Sequence, residues 1–224
     1  IVVATTRPET MFGDSAIAIH PENRKLKKFI GKEALIPLTN KSIPIISDTY
    51  ADPNKGSGAV KITPAHDFND FKIGKKHNLQ ILNIFKPDGK LNQNVPKEFQ
   101  NIDRFIARKK VIAKLKEQNQ LVKINDNKMF IPIGDRSGEI IEPYLTDQWF
   151  LDAKKLCEKV KVEIKKGTIK FYPNSWINTF NHWINNIEPW CISRQIWWGH
   201  RIPVWYTNTG KMIVAKNLVD AKKI

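Results

Sequence analysis

Hydroxyl groups and one guanidinium gather in a short segment near the start of the chain. Residues 5–10 read Thr-Thr-Arg-Pro-Glu-Thr and follow an apolar run at 1–4. Side chains of this kind at the end of a strand can hold a polar ligand that carries a carbonyl or a phosphate. The structural alternative is a strand-to-helix junction, because Thr6 and Glu9 have the spacing of a capping box and Pro8 suits a first helical turn.

A second segment, residues 55–70, is richer in polar groups than a core strand should be. It reads Lys-Gly-Ser-Gly-Ala-Val-Lys-Ile-Thr-Pro-Ala-His-Asp-Phe-Asn-Asp. Strand geometry places Lys61 and Thr63 on one face. Thr63 is a candidate cap for a helix that starts at the following proline, and Asp67 and Asp70 then occupy neighbouring helical positions. Two carboxylates beside an amine and a hydroxyl can hold an ammonium group, orient a water or bind a metal.

A metal centre is the alternative use of the same acids. His66, Asp67, Asp70 and His77 can be drawn along one helix, with Asp70 and His77 close to two turns apart. The helix dipole explains a first-turn acid and a last-turn histidine equally well, so we favour the interpretation without a metal. The two cysteines are far apart in the chain and fit no zinc-ligand spacing.

Short apolar runs separated by Pro, Gly, Asn and Asp predict strands in the first part of the chain. We place these strands at 1–4, 16–19, 34–37, 43–46, 59–63 and 81–85. Helices are expected at 64–77 and at 104–118, the second with Asp103 as its N-cap. This mixture predicts an α+β fold with a closed or strongly curved sheet.

The pattern changes near residue 140, where longer helical spacing replaces the short strands. We therefore expect a domain boundary there. Tryptophans recur every seven residues further on, at Trp176, Trp183, Trp190 and Trp197. Since seven residues make about two helical turns, these rings are predicted to share one buried face until Pro189 interrupts the helix.

The chain carries 37 Lys and Arg against 22 Asp and Glu, which gives a formal net charge of +15. Such a surplus predicts a polyanion as partner, bound less tightly as salt increases; a solvated basic surface is the alternative. No apolar stretch suits a membrane span and no leader opens the chain, so we expect a cytoplasmic protein without membrane contact. Because the first residue is Ile rather than Met, we also expect a piece of a longer protein.

Longer motifs allow comparison with a known family. Residues 5–10, together with Gly-Ser-Gly-Ala-Val-Lys-Ile-Thr-Pro-Ala-His-Asp-Phe-Asn-Asp at 56–70, resemble the editing insertion of the valine-type class I aminoacyl-tRNA synthetases. Gly-Asp-Arg-Ser-Gly at 134–138, Leu-Thr-Asp-Gln-Trp-Phe at 145–150 and Trp-Cys-Ile-Ser-Arg-Gln at 190–195 resemble the same enzymes. The similarity covers nearly the whole chain, although the nucleotide signatures H-I-G-H and K-M-S-K-S of the class do not occur in it.

The resemblance implies a β-barrel-like editing domain with surrounding helices over residues 1–140. Residues 141–224 are then a mainly helical connecting region that leads back to the catalytic core. The implied activity is hydrolysis of the ester between a wrong amino acid, chiefly threonine, and the tRNA for valine, without a cofactor. ATP serves only the parent synthetase reaction, whose site lies outside these residues. The implied partners are the tRNA for valine and the rest of the synthetase chain.

The resemblance also implies roles for individual residues. Asp70 holds the α-ammonium group of the substrate, and Asp67 assists it or holds the threonine hydroxyl. Lys61 and Thr63 contact the aminoacyl ester or the terminal ribose. The loop that shapes and closes the pocket contributes Thr6, Arg7 and Thr10. Among the many cations, our candidates for contact with tRNA phosphates are Lys75, Lys76, Arg108, Lys109 and Lys110.

Two departures from the family pattern affect these expectations. Lys55 stands where relatives commonly carry an aromatic residue before the glycine-rich turn, so packing of the terminal adenosine there is in doubt. Residues 134–138 replace a Cys-x-x-Cys zinc element of some relatives, so we expect no metal at that place. Two alternatives to editing stay open: a tRNA-binding module without catalysis, indifferent to the loss of Asp70, and an unrelated metal-dependent hydrolase, sensitive to chelation.

Overall fold

The chain divides into two compact units, Ile1–Leu145 and Thr146–Ile224. The computed structural model describes residues 1–196 and 198–224. Both units contain helices and strands, which confirms the expected mixed α+β class. The assignment of residues 1–140 as an editing domain and of residues 141–224 as a connecting region stays a prediction.

The first unit is built on a small sheet, two α-helices and a six-residue 3₁₀ turn, and it has two further short 3₁₀ turns at Lys27–Phe29 and Lys97–Phe99. The strands are β1 (Ala16–Ile19), β2 (Glu33–Leu35), β3 (Ser42–Ser47) and β4 (Ala59–Ile62). The 3₁₀ turn spans Pro8–Gly13, and the helices are α1 (Phe68–Lys76) and α2 (Arg104–Glu117). Four of the six predicted strands and both predicted helices of this part are therefore present; β1 has the predicted ends, and the ends of the others are shifted.

The four strands lie in the order β2-β3-β1-β4. β1 is parallel to β3 and antiparallel to β4, with Ala16 opposite Ile62 and Ile19 opposite Ala59. Every residue of β1 is buried, as expected for a central strand covered on both faces. β2 and β4 are the edges of this open sheet, so the strands within the described part of the chain do not close into a barrel.

Two predicted strands are wrong. Residues 1–4 form no strand, and residues 81–85 make only an isolated bridge between Phe85 and Leu91. The backbone N–H of Ile84 donates to Nε2 of His66 at 3.1 Å instead of pairing in a sheet. A buried side chain therefore uses the hydrogen bond that a ladder would need, and this interaction cannot be read from an apolar run.

Helix α2 confirms its prediction in the most detail. Asp103 is its N-cap, and the carboxylate accepts from the backbone N–H groups of Phe105 and Ile106. Its buried residues are Ala107, Val111 and Leu115, one per turn. This stripe packs into the main core, and α2 contacts the 3₁₀ turn.

Within its described residues, 146–196 and 198–224, the second unit has three helices and two small two-stranded sheets. The helices are α3 (Ala153–Lys165), α4 (Trp176–Asn185) and α5 (Leu218–Ala221). The antiparallel pairs are β5 (Phe150–Leu151) with β6 (Trp190–Cys191), and β7 (Val204–Tyr206) with β8 (Met212–Val214). None of the helices in the described part of the chain is long and apolar enough to cross a membrane.

The predicted buried tryptophan face is wrong for three of its members. Trp176, Trp183 and Trp190 are 57%, 73% and 60% exposed, while Trp197 lies outside the described residues. Two of the rings share α4, as the seven-residue spacing requires, but the third belongs to β6. Periodicity fixes which side chains share a helix face; it does not fix whether another element covers that face.

Candidate active site

The end of strand β4 brings together an amine, a hydroxyl and a buried carboxylate. The Lys61 ammonium lies 3.1 Å from Oδ1 of Asp14 and also donates to the Thr63 hydroxyl. That hydroxyl in turn donates to Oδ1 of Asp14 at 2.6 Å. Lys61 and Thr63 thus share a face, as alternation along a strand predicts.

Asp14 is a site residue that the sequence analysis missed. Burial raises its pKa, while the charge of Lys61 and the hydrogen bond from Thr63 oppose that rise. Asp14 lies two residues before β1, and the register that sets Ala16 opposite Ile62 brings it to the Thr63 end of β4. An acid beside a fully apolar strand is a signal in the sequence, but its partners depend on strand pairing.

Helix α1 begins later than predicted, and its cap is Asp67 rather than Thr63. Oδ1 of Asp67 accepts from the backbone N–H groups of Asn69 and Asp70 at 2.8 and 3.1 Å. Residues 63–66 form a turn ahead of the helix, closed by a hydrogen bond between His66 N–H and the Thr63 carbonyl. Asp is among the best N-caps, so the cap lies at the end of this turn, and one oxygen of Asp67 is committed to the helix.

Asp70 lies on the first turn of α1 and is only 6% exposed. Its Oδ2 accepts from the backbone N–H of Thr63 at 2.8 Å. Burial raises the pKa of Asp70 to about 6, although the Thr63 N–H opposes the shift. Four residues are therefore joined into one network, which we call the strand-end network: Asp14, Lys61, Thr63 and Asp70.

Arg7, from the segment at 5–10, lies next to the turn that precedes helix α1. One of its guanidinium nitrogens donates to the backbone carbonyl of His66, and another lies 2.6 Å from a carboxylate oxygen of Glu142. Arg7 therefore neighbours the residue that precedes Asp67. Arg104 binds the second oxygen of Glu142 at 3.3 Å, so one acid holds the loop at Arg7 and helix α2 together.

The two threonines predicted beside Arg7 differ in their surroundings. Thr10 is 1% exposed, and its hydroxyl donates to the Arg7 carbonyl at 2.9 Å. Thr6 is exposed. The capping box proposed for Thr6 and Glu9 is not formed, because Glu9 is fully buried and bound to Arg108. A structural role of Thr10 in shaping the loop follows directly; contact of either threonine with a substrate stays a prediction.

The histidines of the alternative metal site have other partners. His66 is completely buried, and burial, followed by the charges of Arg7 and Lys61, lowers its pKa to about 3, so the ring is neutral. His77 lies 2.6 Å from Asp48 through Nε2. Within residues 1–196 and 198–224, no group of three or more His, Cys, Asp or Glu is placed to hold a metal ion.

Two of the predicted phosphate-binding cations are paired with buried acids. Lys76 lies 2.8 Å from Asp48. Arg108 makes two hydrogen bonds to the buried carboxylate of Glu9, at 2.8 and 2.6 Å. Both cations therefore neutralise buried acids, although the Lys76 side chain is itself 59% exposed, and their contact with phosphate stays a prediction.

The other three candidates are not paired with buried acids. The Lys110 ammonium donates to the backbone carbonyl of Glu98 at 2.6 Å and lies 3.6 Å from its carboxylate. Lys75 is exposed and lies 4.6 Å from the centre of the Phe71 ring, and Lys109 is exposed on α2. Within the described part of the chain, none of the three contacts the strand-end network, and their contact with phosphate stays a prediction.

The strand-end network has donors and acceptors left over for a ligand. An ammonium group has three N–H donors, and Lys61 uses two of them on Asp14 and Thr63. Asp70 accepts the Thr63 N–H with Oδ2 and lies beside the Tyr50 hydroxyl, and a carboxylate with about four lone-pair sites keeps acceptor capacity for a cation. The arrangement can therefore hold an ammonium group and, close by, polarise an ester carbonyl or hydrogen-bond a ribose hydroxyl.

Comparison with known proteins gives a family for the chain. It matches the model of the "tRNA synthetases class I (I, L, M and V)" over residues 15–224. It is 54% identical to the valine–tRNA ligase of Pelagibacter ubique (strain HTCC1062) over 222 residues, 99% of this chain and 25% of that protein. Identity is 51% over 217 residues to the enzyme of the same name from Caulobacter vibrioides (strain ATCC 19089 / CIP 103742 / CB 15), 97% of this chain and 24% of the relative. The chain thus spans about a quarter of the length of these relatives.

Proposed function

This chain belongs to the class I tRNA synthetases, and we propose that its first unit hydrolyses the ester that joins a wrong amino acid, chiefly threonine, to the tRNA for valine. The observation that carries the proposal is the strand-end network, in which Lys61, Thr63 and Asp70 lie together although they belong to a strand, a turn and a helix. The relatives named valine–tRNA ligase support the choice of tRNA. The parent reaction, ATP-dependent attachment of valine to tRNA, belongs to the proposal as well.

Asp70 binds the α-ammonium group of the aminoacyl ester. Its carboxylate has the charge and the buried setting for a short, charge-assisted hydrogen bond. An ammonium ligand also favours the ionised form of a carboxyl group whose pKa is about 6 in its absence. Asp67, one residue before α1, has a second oxygen to assist Asp70 or to accept a hydrogen bond from the threonine hydroxyl.

Lys61 and Thr63 act at the ester itself. The remaining N–H of Lys61 stabilises the oxygen that becomes negative when water attacks the carbonyl carbon. The bond between that carbon and the ribose oxygen then breaks, the ribose oxygen takes up a proton, and the free amino acid leaves. Arg7 and Thr10 shape the facing loop, and the ribose hydroxyl next to the ester helps to orient the water.

A polar pocket of this kind selects threonine over valine. An aminoacylation site shaped for valine cannot strongly reject threonine, which has nearly the same shape; enzymes of this type discriminate against threonine by only about a hundredfold. In the editing pocket the threonine hydroxyl finds partners, whereas a valine methyl leaves a polar group unpaired at a cost of about 1 to 3 kcal/mol. The editing pocket therefore hydrolyses the threonyl ester that the aminoacylation site forms by accepting threonine.

The reaction needs no metal in this proposal, because Lys61 supplies the positive charge and Asp70 the binding of the ammonium. The partners of the chain are then the tRNA for valine and the rest of the synthetase. The basic surplus of +15 supports a polyanionic partner.

Deacylation of threonyl-tRNA and valyl-tRNA for valine tests the proposal. We expect the wild-type chain to hydrolyse the threonyl ester faster, with no change on addition of EDTA. Asp70→Ala should lower this rate on the order of a hundredfold, as loss of one charge-binding group in an active site does. Asp126→Ala is the matched control, because Asp126 is an exposed acid of the same unit.

Three results would contradict the proposal. Equal rates for wild type and Asp70→Ala would remove Asp70 from the site. Salt-sensitive tRNA binding without hydrolysis would indicate a silent binding module, and loss of activity with EDTA would indicate a metal-dependent hydrolase.

A further inference from the structure

Five exposed cations lie within nine residues between β1 and β2. The segment contains no acid, and its cations are Arg24, Lys25, Lys27, Lys28 and Lys32. Within the described part of the chain, none of these five makes an ion pair. We call this surface the 24–32 patch. It differs from the region of α2, where Arg108 and Lys110 have acidic or carbonyl partners.

Asn23 anchors the first end of the patch. Its Oδ1 accepts from the backbone N–H groups of Lys25 and Leu26 at 3.1 and 3.0 Å. Its Nδ2 donates to the carbonyl of Gly58 at 3.3 Å. Gly58 has a φ of +74°, and a Cβ there would lie 2.5 Å from that Nδ2. A glycine is therefore needed to join the patch to the turn that precedes β4.

The second end is tied to the sheet. Gly31 N–H donates to the Ile45 carbonyl at 2.9 Å, and Ile45 N–H donates to the Lys32 carbonyl at 2.8 Å. Leu26 and Phe29 pack against the core. The apolar side chains of the segment therefore face inward and its cations outward on an ordered backbone, so little entropy is lost when a ligand binds.

The first end of the patch and the strand-end network lie at opposite ends of β4. Asn23 binds Gly58 directly before β4, and Asp14, Thr63 and Asp70 lie beyond the other end of this strand, at Ile62. Three residues of a strand separate these ends, about 10 Å at about 3.3 Å per residue. A strand of nucleic acid held by the patch can therefore place its terminus at the network.

We propose that the 24–32 patch binds the phosphate backbone of RNA whose aminoacylated 3′ end occupies the strand-end network. The inference rests on the proposed function and adds the surface that holds its substrate. A protein partner would need an apolar centre to its interface, whereas Leu26 and Phe29 of the segment face the core. Phosphate binding requires only accessible cations.

Salt-dependent binding of uncharged tRNA to the 224-residue chain tests this inference without relying on hydrolysis. Single-stranded contacts contribute about 0.7 each to the slope of log affinity against log salt. The triple variant Lys25→Gln, Lys27→Gln, Lys28→Gln should therefore flatten the slope by about 2. The matched control is Lys97→Gln, Lys116→Gln, Lys123→Gln, which removes the same charge from exposed lysines elsewhere in the unit and should leave the slope within about 0.5 of wild type.

Deacylation by the same variants separates the two proposals. The patch variant should raise KM for threonyl-tRNA and leave kcat unchanged, since Lys25, Lys27 and Lys28 do not touch the ester. If the patch variant flattens the salt slope but the wild-type chain does not hydrolyse threonyl-tRNA, the patch is retained and the editing function is refuted. Equal slopes for the patch and control variants would overturn the assignment of the patch to RNA. The same holds if the patch variant loses binding to polyglutamate but still binds RNA as wild type does, because that result would indicate an acidic protein partner.

Discussion

Asp14 and Asp70 lie at the same end of β4, but their hydrogen bonds differ. Asp14 receives both the Lys61 ammonium and the Thr63 hydroxyl. Asp70 receives the backbone N–H of Thr63 and lies beside the Tyr50 hydroxyl, with no cation bound to its carboxylate among the described contacts. The first acid is therefore suited to position other side chains, and the second is suited to bind a ligand that carries positive charge.

Replacing Asp14 tests this positioning role. Asp14→Ala leaves Lys61 and Thr63 without the acceptor that fixes them, so the donor to the ester is misplaced. We expect kcat for threonyl-tRNA to fall on the order of a hundredfold, while KM and the salt slope of tRNA binding stay close to wild type. An unchanged kcat in a folded variant would show that Lys61 and Thr63 are oriented without Asp14; circular dichroism checks that the variant is folded.

Replacing Asp70 by its neutral amide should stabilise the fold at neutral pH. The carboxyl pKa rises on folding from 3.8 to about 6, so above pH 6 the folded state bears a buried charge that the unfolded state hydrates freely. Asp70→Asn removes that charge, and we expect the free energy of unfolding at pH 7.5 to rise on the order of 1 to 3 kcal/mol, discounted for the solvent that still reaches the carboxyl.

The sign of the pH dependence follows from proton uptake. As pH falls from 6 to 4, Asp70 takes up a proton in the folded wild-type protein, while the same carboxyl in the unfolded chain stays ionised until lower pH. The free energy of unfolding of the wild type therefore rises relative to that of the variant. The advantage of Asp70→Asn should therefore shrink through this window. Urea unfolding at pH 7.5 and pH 4 measures it, with Asp126→Asn as the control; an advantage that persists at pH 4 would rule out charge burial as its cause.

At the scale of elements, each polar segment is held by a different helix: α1 packs on the turn at Pro64, and α2 is bound to the 3₁₀ turn. Gly74 lets α1 approach the turn before it, since a Cβ at this position would lie 2.7 Å from Pro64. On the other side, the 3₁₀ turn is bound to α2 through the buried pair of Glu9 and Arg108. The positions of Asp70 and Arg7 thus depend on contacts made outside the site.

The pair of Glu9 and Arg108 gives a prediction about stability. Arg108→Ala should lower the free energy of unfolding by about 3 kcal/mol, because it leaves a buried carboxylate without its partner. Arg108→Lys should recover only part of this loss, since a lysine cannot make the two parallel hydrogen bonds. Lys109→Ala, its exposed neighbour, should change stability by less than about 0.5 kcal/mol. Unchanged stability in Arg108→Ala with weaker tRNA binding would instead assign Arg108 to phosphate contact.

At the scale of the whole molecule, the basic surplus is unevenly available. Several cations of the first unit are used within the fold by acids such as Asp14, Asp48 and Glu9, whereas the 24–32 patch keeps its charge free. In the second unit, Trp176 and Trp183 present an apolar surface on α4.

The sequence by itself determined the family and the mixed fold class, whereas the roles of the site residues stay predictions. Each of the motifs at 5–10 and 56–70 is an uninterrupted run of residues, so it can be recognised without knowledge of the fold. Strand alternation alone was enough to put Lys61 and Thr63 on one face. Local rules also predicted α2 and its cap at Asp103, because helix capping depends on residues within one turn of each other.

The tertiary structure decided the interactions between residues far apart in the chain. Pairing of β1 with β4 brought Asp14 to Thr63, and packing of α2 bound Arg108 to Glu9 rather than leaving it on the surface. The side chain of His66 diverted the segment at 81–85 from a sheet. Composition and spacing give the numbers of charged and apolar residues and their positions in the sequence. Only the folded arrangement determines which of them have partners, because pairing depends on distances in space between residues that are far apart in the chain.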